Sequence, residues 1–128
     1  EERKKLQELI ANNQLEDCFF LLGIRDNPYP YLKNADVVVQ SSRYEGKSMV
    51  LDEAKILAKP IVATNYTTVR DQLSDEEGLV VDMTPEEIEE GIRKMLTDAK
   101  MREIFEDYLQ QRDYGNTDEM KKFYDALM

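Results

Sequence analysis

Histidine is absent from the whole sequence, and cysteine occurs only once. The absence of histidine excludes Ser-His and Cys-His nucleophilic catalysis and His-ligated metal sites within this chain. The single cysteine, Cys18, cannot form an internal disulfide, and its place in an apolar run predicts a buried thiol in a reducing compartment. Any catalysis must therefore use carboxylates, lysine, arginine or backbone groups, and the expected location is the cytoplasm.

Long apolar runs and a basic excess are also missing. No stretch approaches the roughly 20 apolar residues that a membrane-spanning helix needs, so no transmembrane segment is predicted. Acidic residues outnumber basic residues 27 to 17, giving a formal net charge of −10, whereas binding to a phosphate backbone needs a basic surface. The composition therefore argues against a nucleic-acid partner. At this length we expect one domain over residues 1–128 with a substantial core.

The apolar residues are present as four short continuous runs, separated by segments with helical periodicity. Continuous runs are typical of strands that are covered on both faces. We therefore predict an α/β fold in which a parallel sheet of about four strands is sandwiched by helices, with right-handed crossovers. The predicted strands are Cys18–Leu22, Val37–Val39, Ile61–Ala63 and Leu79–Val81.

Helices are predicted before, between and after these strands. A short amphipathic helix covers residues 2–13. After the last strand, Thr84 followed by Pro85 is a strong signal for a helix start. A further helix is expected over residues 101–109, and a terminal one within 112–128. The apolar stripe of the helix after Thr84, predicted to face the sheet, consists of Ile88, Ile92 and Leu96.

The segment from Ser42 to Ala54 joins the second predicted strand to a helix through a loop that contains glycine. Such a helix start offers unpaired backbone N–H groups and the positive end of the helix dipole, which attract a diphosphate. Glu45 in the loop and Glu53 in the second helical turn flank that anion, and carboxylates accept hydrogen bonds from sugar hydroxyls. Glu53 also lies beside the buried stripe, where an unpaired carboxylate is costly, so we expect it to have a ligand or a buried partner.

Two other classes of function stay open at this point. A receiver-like signalling domain is also a small acidic α/β fold, but it needs an aspartate at the carboxyl end of a middle strand. Asp36 lies at the other end of its strand, and the Lys59-Pro60 pair precedes its strand instead of following it. A non-catalytic interaction domain whose acidic face binds a basic partner fits the composition, but it leaves the Gly46 loop and the placement of Glu53 unexplained.

Two smaller features are interpreted from their position alone. Lys55 and Lys59 are expected to be surface charges on the outer face of their helix. The segment from Asn65 to Thr68 follows a strand, so it either borders a ligand site or begins the next helix.

Five segments occur in a fixed order between residues 17 and 110: Phe20–Gly23, Asn34–Ser42, Glu45–Ala54, Ala58–Thr64 and Gly78–Val81. Together they resemble the retaining GT-B glycosyltransferases of group 1, or family 4, in the latter part of the C-terminal half that binds the donor. Two glutamates at a fixed gap are common, whereas the ordered set of five segments is specific.

The resemblance implies a role for individual residues. Glu45 would be the catalytic residue, close to the hydroxyls of the transferred sugar, and Glu53 would accept from the ribose hydroxyls of the nucleotide. Backbone groups at the helix start would hold the diphosphate, and the loop after Gly23 would border the base. The implied nucleotide-sugar-binding residues are Gly23, Ile24, Arg25, Gly46, Lys47, Ser48, Met49, Val50 and Glu53.

The resemblance also implies a reaction, which is transfer of a sugar from a nucleotide diphosphate to an acceptor hydroxyl with retention at the anomeric carbon. A UDP-sugar is the expected donor, ahead of GDP and ADP donors, and neither a metal nor a cofactor is expected. The acceptor would be a glycan or a lipid-linked glycan, bound through an N-terminal half that is missing here, at the cytoplasmic face of a membrane. The chain begins on a charged helix without an initiator methionine, so we expect a piece of a longer parent protein that has negligible transfer activity by itself.

Overall fold

The computed structural model describes residues 2–23, 28–112 and 114, and its centre is a parallel sheet. The strands are β1 (Val38–Gln40), β2 (Ile61–Thr64) and β3 (Leu79–Val81), adjacent in the order β1-β2-β3. In the register, Val39 pairs with Val62, and Ala63 pairs with Val80. The helices of the described residues are α1 (Glu2–Asn12), α2 (Tyr29–Asn34), α3 (Met49–Ile56), α4 (Val69–Gln72), α5 (Pro85–Thr97) and α6 (Ala99–Gln110).

The central strand, β2, is buried along its whole length. Successive side chains of a strand point to opposite faces of the sheet, and those of β2 enter two separate cores. Ile61 and Ala63 belong to the core on the side of α3, whereas Val62 packs with Met95 of α5 and Phe105 of α6. The predicted α/β fold with a sheet covered on both faces is therefore confirmed.

The first predicted strand, Cys18–Leu22, is wrong, so the sheet has three strands instead of four. The chain turns at this point, because the N–H of Phe19 donates to the carbonyl of Leu15 over 2.8 Å. Phe20 is 65% exposed, and Cys18, predicted to be buried, is also exposed. A strand needs a neighbour that completes its ladder of hydrogen bonds, and in the described part of the chain no strand lies beside this run.

The apolar stripe predicted for α5 is only partly right. The residues of α5 that are buried are Gly91 and Met95. Ile88 and Ile92 lie at the margin of the contact and are half-buried, while Leu96 is 52% exposed. The helix therefore faces the sheet with a surface that is rotated away from the predicted one.

Gly91 is the point at which α5 approaches the sheet most closely. A Cβ atom at this position would lie 2.8 Å from Cγ1 of Val81 and 3.2 Å from Cγ1 of Val62. The first distance is shorter than real Cβ contacts, so the absence of a side chain allows the helix to pack directly on β2 and β3.

The remaining expectations concern the two ends of the chain. The helix predicted over residues 2–13 is confirmed as α1, and that over residues 101–109 as α6. The terminal helix predicted within 112–128 lies outside the described residues, apart from Arg112 and Tyr114. Among the helices that the structure describes, none has the length and apolar character needed to cross a membrane.

Candidate functional site

The site predicted from the sequence lies where β1 and β2 end. Parallel strands place their carboxyl ends at one edge of the sheet, and ligands of open α/β sheets bind at that edge. Thr64, the last residue of β2, connects the two strand ends, because its Oγ1 donates to the carbonyl of Ser42 over 2.5 Å and lies 3.3 Å from the carbonyl oxygen of Gln40. The loop that leads from β1 into α3 is thereby fixed to the sheet.

Glu45 is half-buried in this loop, and its carboxylate is held by two donors. Its Oε2 accepts from Nε2 of Gln40 over 3.0 Å and from Oγ of Ser42 over 2.7 Å. The backbone carbonyl of Glu45 accepts from Oγ1 of Thr68 over 2.9 Å. A carboxylate has about four acceptor positions, so these contacts orient the group and leave capacity for the hydroxyl of a ligand.

The start of α3 is capped by Ser48, which is buried. Its Oγ accepts from the N–H of Leu51 over 3.3 Å, and its own N–H donates to Oε1 of Gln72 over 2.9 Å. Two of the amides at the helix start are therefore engaged within the chain. Those of Met49 and Val50 come first in the helix, where no intrahelical acceptor exists, and no described residue accepts from them.

Charged groups of both signs surround the start of α3. The ammonium of Lys47 is 3.6 Å from Oδ2 of Asp52, and Oδ1 of Asp52 accepts from Nε2 of Gln72 over 3.0 Å. The acid in the first turn of the helix is thus paired through both of its oxygens. Among residues 2–23, 28–112 and 114, no cluster of three side chains suited to hold a metal ion occurs.

Glu53 is 6% exposed, and no described residue donates a hydrogen bond to its buried Oε2. A buried acceptor without a donor costs about 1–3 kcal/mol. The sequence predicts either a ligand or a buried partner for this carboxylate, and the described residues supply no partner for Oε2. That this oxygen accepts from a ligand hydroxyl stays a prediction.

Tyr66 is fully buried close to the site, and no described residue hydrogen-bonds its hydroxyl. Burial of that hydroxyl, and secondly the negative charge of Glu45, raise the pKa of Tyr66. The segment that contains it has a mixed role, since Tyr66 packs in the core while Thr68 contacts the loop of Glu45. Thr68 is also the N-cap of α4, so the segment leads into the next helix. That it borders a ligand site stays a prediction.

The glycines of the predicted site differ in their surroundings. A Cβ atom at Gly46 would meet nothing within 4 Å, so the packing of the chain itself does not require a glycine there, and the space beside the loop is open. Gly23 has a φ of +72°, a conformation that glycine adopts without strain. Ile24 and Arg25, predicted to border a nucleotide base, lie outside the described residues.

The sequence interpretation missed two polar contacts near the site. Lys55 was expected on the surface, but it is 8% exposed, because its ammonium donates to the backbone carbonyl of Gln72 over 2.5 Å and lies 3.7 Å from Oε2 of Glu77. The spacing of four residues from Leu51 places Lys55 on the buried face and was a usable signal. No local pattern indicated Gln72, which reaches Ser48 from 24 positions away.

Solved structures show which class of protein this fold defines. The chain superposes on sucrose-phosphate synthase from Thermosynechococcus elongatus with a TM-score of 0.72 and 24% identity, covering 98% of this chain and 34% of that one. It superposes on Anabaena Alr3699/HepE, solved with UDP and glucose, with a TM-score of 0.72 and 21% identity, covering 98% of this chain and 36% of the other. The fold is that of the GT-B glycosyltransferases.

The sequence matches the family described as "Glycosyl transferases group 1" over residues 1–112. The chain belongs to this family. The match favours the glycosyltransferase interpretation over the receiver-like and interaction-domain alternatives.

Two curated relatives agree with this assignment. The chain is 31% identical to the N-acetylgalactosamine-N,N'-diacetylbacillosaminyl-diphospho-undecaprenol 4-alpha-N-acetylgalactosaminyltransferase of Campylobacter jejuni, over 98% of this chain and 35% of that protein. It is 30% identical to the amylovoran biosynthesis glycosyltransferase AmsD of Erwinia amylovora, over 99% of this chain and 37% of that protein. The chain spans a little over a third of the length of these relatives.

Proposed function

We propose that this chain is the latter part of the donor-binding, C-terminal half of a retaining GT-B glycosyltransferase of family 4. The parent protein transfers a sugar from a nucleotide diphosphate to the hydroxyl of an acceptor. This chain supplies contacts to the donor, and the acceptor binds through an N-terminal half. The isolated chain is proposed to have negligible transfer activity, because the acceptor binds through the other half.

The observation that carries the proposal is the buried carboxylate of Glu53, whose Oε2 has no donor among the described residues. Glu53 lies in the second turn of α3, close to the amides of Met49 and Val50 at the helix start. A nucleotide whose diphosphate binds those amides brings its ribose toward the second turn. A ribose hydroxyl then donates to Glu53 and removes the cost of the unpaired oxygen.

The diphosphate is held by backbone groups and by the helix dipole. The amides of Met49 and Val50 donate to phosphate oxygens, and the positive end of α3 stabilises the charge that develops on the leaving group. The exposed Lys47 adds a mobile positive charge at the same point. The open space at Gly46 lets the anion approach the backbone closely.

Glu45 is proposed to contact the transferred sugar. Its donors, Gln40 and Ser42, fix its Oε2 at the carboxyl end of β1. The remaining acceptor positions of the carboxylate then receive hydroxyls of the sugar. Gly23, Ile24 and Arg25 are proposed to contact the base, a role that rests on the family resemblance because Ile24 and Arg25 lie outside the described residues.

The order of the strands supports the placement in the latter part of a doubly wound sheet. The usual order of such a sheet is 3-2-1-4-5-6, in which strands 4, 5 and 6 are neighbours and strand 3 is separated from strand 4 by two others. β1, β2 and β3 are neighbours in chain order, as strands 4 to 6 would be.

The donor and acceptor are proposed from the similar proteins. Alr3699/HepE was solved with UDP and glucose, which supports a UDP-sugar as the donor. The names of the two curated relatives refer to a diphospho-undecaprenol acceptor and to amylovoran biosynthesis. A glycan or lipid-linked acceptor at the cytoplasmic face of a membrane, and a reaction without an essential metal, complete the proposal.

The test is a titration of the ¹⁵N-labelled chain with UDP, GDP and ADP, followed by NMR. We expect UDP to saturate, with the largest shifts at the amides of Met49 and Val50. Glu53→Ala should weaken UDP binding about tenfold, because a charge-assisted hydrogen bond is lost. Glu103→Ala, which removes an exposed acid of α6, is the matched control and should bind like the original chain.

The role of the ribose is tested with 2′-deoxy-UDP. The original chain should bind it more weakly than UDP, whereas Glu53→Ala should bind both equally. The absence of binding by all three nucleotides at millimolar concentration would overturn the proposal, as would a Glu53→Ala variant with unchanged affinity.

A further inference from the structure

Gln72, the last residue of α4, lies across the start of α3 with its carboxamide. Its Oε1 accepts from the N–H of Ser48 over 2.9 Å. Its Nε2 donates to the carbonyl of the same residue and to Oδ1 of Asp52, the latter over 3.0 Å. One side chain thus pairs with both backbone groups of the buried Ser48, and it also engages the first-turn acid of α3.

Only an amide side chain is suited to this position. The backbone of Ser48 presents an N–H and a carbonyl, so the group facing it must accept and donate at once, as a carboxamide does and a carboxylate does not. A ligand that displaced Gln72 would leave Oδ1 of Asp52 without its donor and the N–H of Ser48 without its acceptor. The carbonyl of Ser48 would keep only the N–H of Asp52, 3.5 Å away. The hydrogen bonds of Gln72 are therefore expected to persist when an anion binds.

The contact with Asp52 has an electrostatic consequence. An acid in the first turn of a helix occupies the positive end of the dipole and competes with an anionic ligand. Here Oδ1 of Asp52 accepts from Gln72, and Oδ2 faces the ammonium of Lys47 at 3.6 Å. Both oxygens are engaged, so the acid is held in place and its repulsion of an anion is reduced.

We infer that Gln72 is a positioning residue for the diphosphate of the nucleotide ligand, an inference that rests on the proposed function. It fixes Ser48 and Asp52 so that the diphosphate binds the amides of Met49 and Val50. The amide of Ser48, which sequence reasoning assigned to the diphosphate, stays with Gln72 instead.

The experiment compares the binding of UDP with that of uridine, which lacks the diphosphate, in NMR titrations of the 128-residue chain. Four forms are titrated: the original chain, Gln72→Glu, Gln72→Glu with Asp52→Asn, and Gln7→Glu. Gln72→Glu removes both donated hydrogen bonds and places two carboxylates side by side. We expect it to weaken UDP binding about tenfold and uridine binding less than about twofold. Adding Asp52→Asn restores a hydrogen bond between the two side chains but not the one to the carbonyl of Ser48. The double variant should therefore recover part of the affinity for UDP. Gln7→Glu, which makes the same change at an exposed position of α1, should have no effect.

A second measurement needs only the original chain. Binding of UDP should shift and protect the amides of Met49 and Val50, while the Ser48 amide and the side-chain NH₂ of Gln72 keep their hydrogen-bonded signals. Release of the Gln72 side chain on binding would overturn the inference, as would a Gln72→Glu variant that loses UDP and uridine equally or binds UDP normally. If the original chain binds no UDP, the proposed function fails and the inference fails with it, whereas UDP binding with unaffected Gln72 variants removes the inference alone.

Discussion

The helices α3 and α5 begin with the same kind of cap, but their charged residues have different surroundings. Each follows a strand and is capped by a hydroxyl that accepts from the amide three residues later. Ser48 accepts from Leu51 over 3.3 Å, and Thr84 accepts from Glu87 over 3.1 Å, which confirms the predicted start of α5. A hydroxyl cap therefore does not by itself distinguish a ligand site from an ordinary helix start.

The two helices differ in the exposure and the pairing of their acidic residues. α5 starts with Pro85 and two exposed acids, Glu86 and Glu87, which complement its own dipole in water. α3 has one acid in its first turn, which is engaged by other side chains, and it buries a second acid, Glu53, without a donor for Oε2 among the described residues. The comparison shows that α3, unlike α5, combines an engaged first-turn acid with a buried acid whose Oε2 has no described donor. This combination is the basis for the proposed anion site.

The largest expected effect tests the packing of α5. Gly91→Val should lower the free energy of unfolding by about 3 kcal/mol, because the new side chain must overlap Val81 and overpacking of this kind is costly. Urea denaturation measures the change. Gly46→Val, at a position where a Cβ meets nothing within 4 Å, should change it by less than about 0.5 kcal/mol. Equal effects at the two glycines would contradict the close approach of α5 to the sheet.

The next effect compares two lysines that lie in the last turn of their helices. Lys55 of α3 is buried beside Glu77, whereas the side chain of Lys94 of α5 is 57% exposed beside Glu90. Lys55→Met should cost about 2–3 kcal/mol, since a buried acid loses its cation. Lys94→Met should cost less than about 0.5 kcal/mol. Thermal unfolding of both variants provides the measurement, and a small loss for Lys55→Met would show that its pair contributes no more than a surface pair.

Removal of the two cap hydroxyls is expected to affect stability equally but UDP binding differently. Ser48→Ala and Thr84→Ala should each lower the free energy of unfolding by about 1 kcal/mol. Only Ser48→Ala should also weaken UDP binding, because Ser48 belongs to the start of α3. The two variants are compared by urea denaturation and by titration with UDP. A change in UDP affinity on Thr84→Ala would remove the distinction between the two helix starts.

The smallest effect concerns alkaline pH and two tyrosines near α3. Burial raises the pKa of Tyr66, and burial followed by the hydrogen bond to Glu77 raises the pKa of Tyr114. Unfolded tyrosines titrate near pH 10, so above this pH the folded chain retains protons that the unfolded chain has lost, and the free energy of unfolding falls as pH rises. Tyr66→Phe and Tyr114→Phe should each reduce this slope in urea denaturation between about pH 9 and 11. The exposed Tyr44→Phe should leave it unchanged.

Much of the fold was predictable because it depends on local patterns. The three runs that form β1, β2 and β3 were identified to within one residue at either end, and the start of α5 at Thr84 was correct. These features are set by continuous apolar residues and by hydroxyls at fixed distances from a helix start. The run Cys18–Leu22 has the same apolar character and is not a strand, because pairing depends on neighbours that no local pattern contains.

The stripe of α5 failed for a geometric reason. A helix has 3.6 residues per turn, so each step of four residues advances roughly 40° beyond a full turn. Ile88, Ile92 and Leu96 therefore drift around the helix, and Leu96 reaches solvent. The face of α5 that contacts the sheet follows steps of three and four residues through Gly91. Because glycine has no apolar side chain, the apolar pattern of the sequence did not indicate this face.

The candidate site was predictable in part. Glu45, Ser48 and Glu53 are brought to the ends of β1 and β2 and to α3, as the strand, loop and helix pattern predicts. The contacts of Gln72 and the burial of Lys55 depend on the fold of distant segments. Lys55 was wrongly expected on the surface, although its spacing from Leu51 places it on the buried face of α3, and no local pattern indicated Gln72. The roles of all these residues toward a nucleotide sugar stay predictions.

The outer edge of β1 has a consequence for handling the protein. β1 pairs with β2 alone in the described sheet, so no described strand pairs with its other side. An uncovered edge of this kind is a template for another chain. We therefore expect that two copies can join their sheets through β1 without disturbing either core, so that self-association at high concentration precedes unfolding.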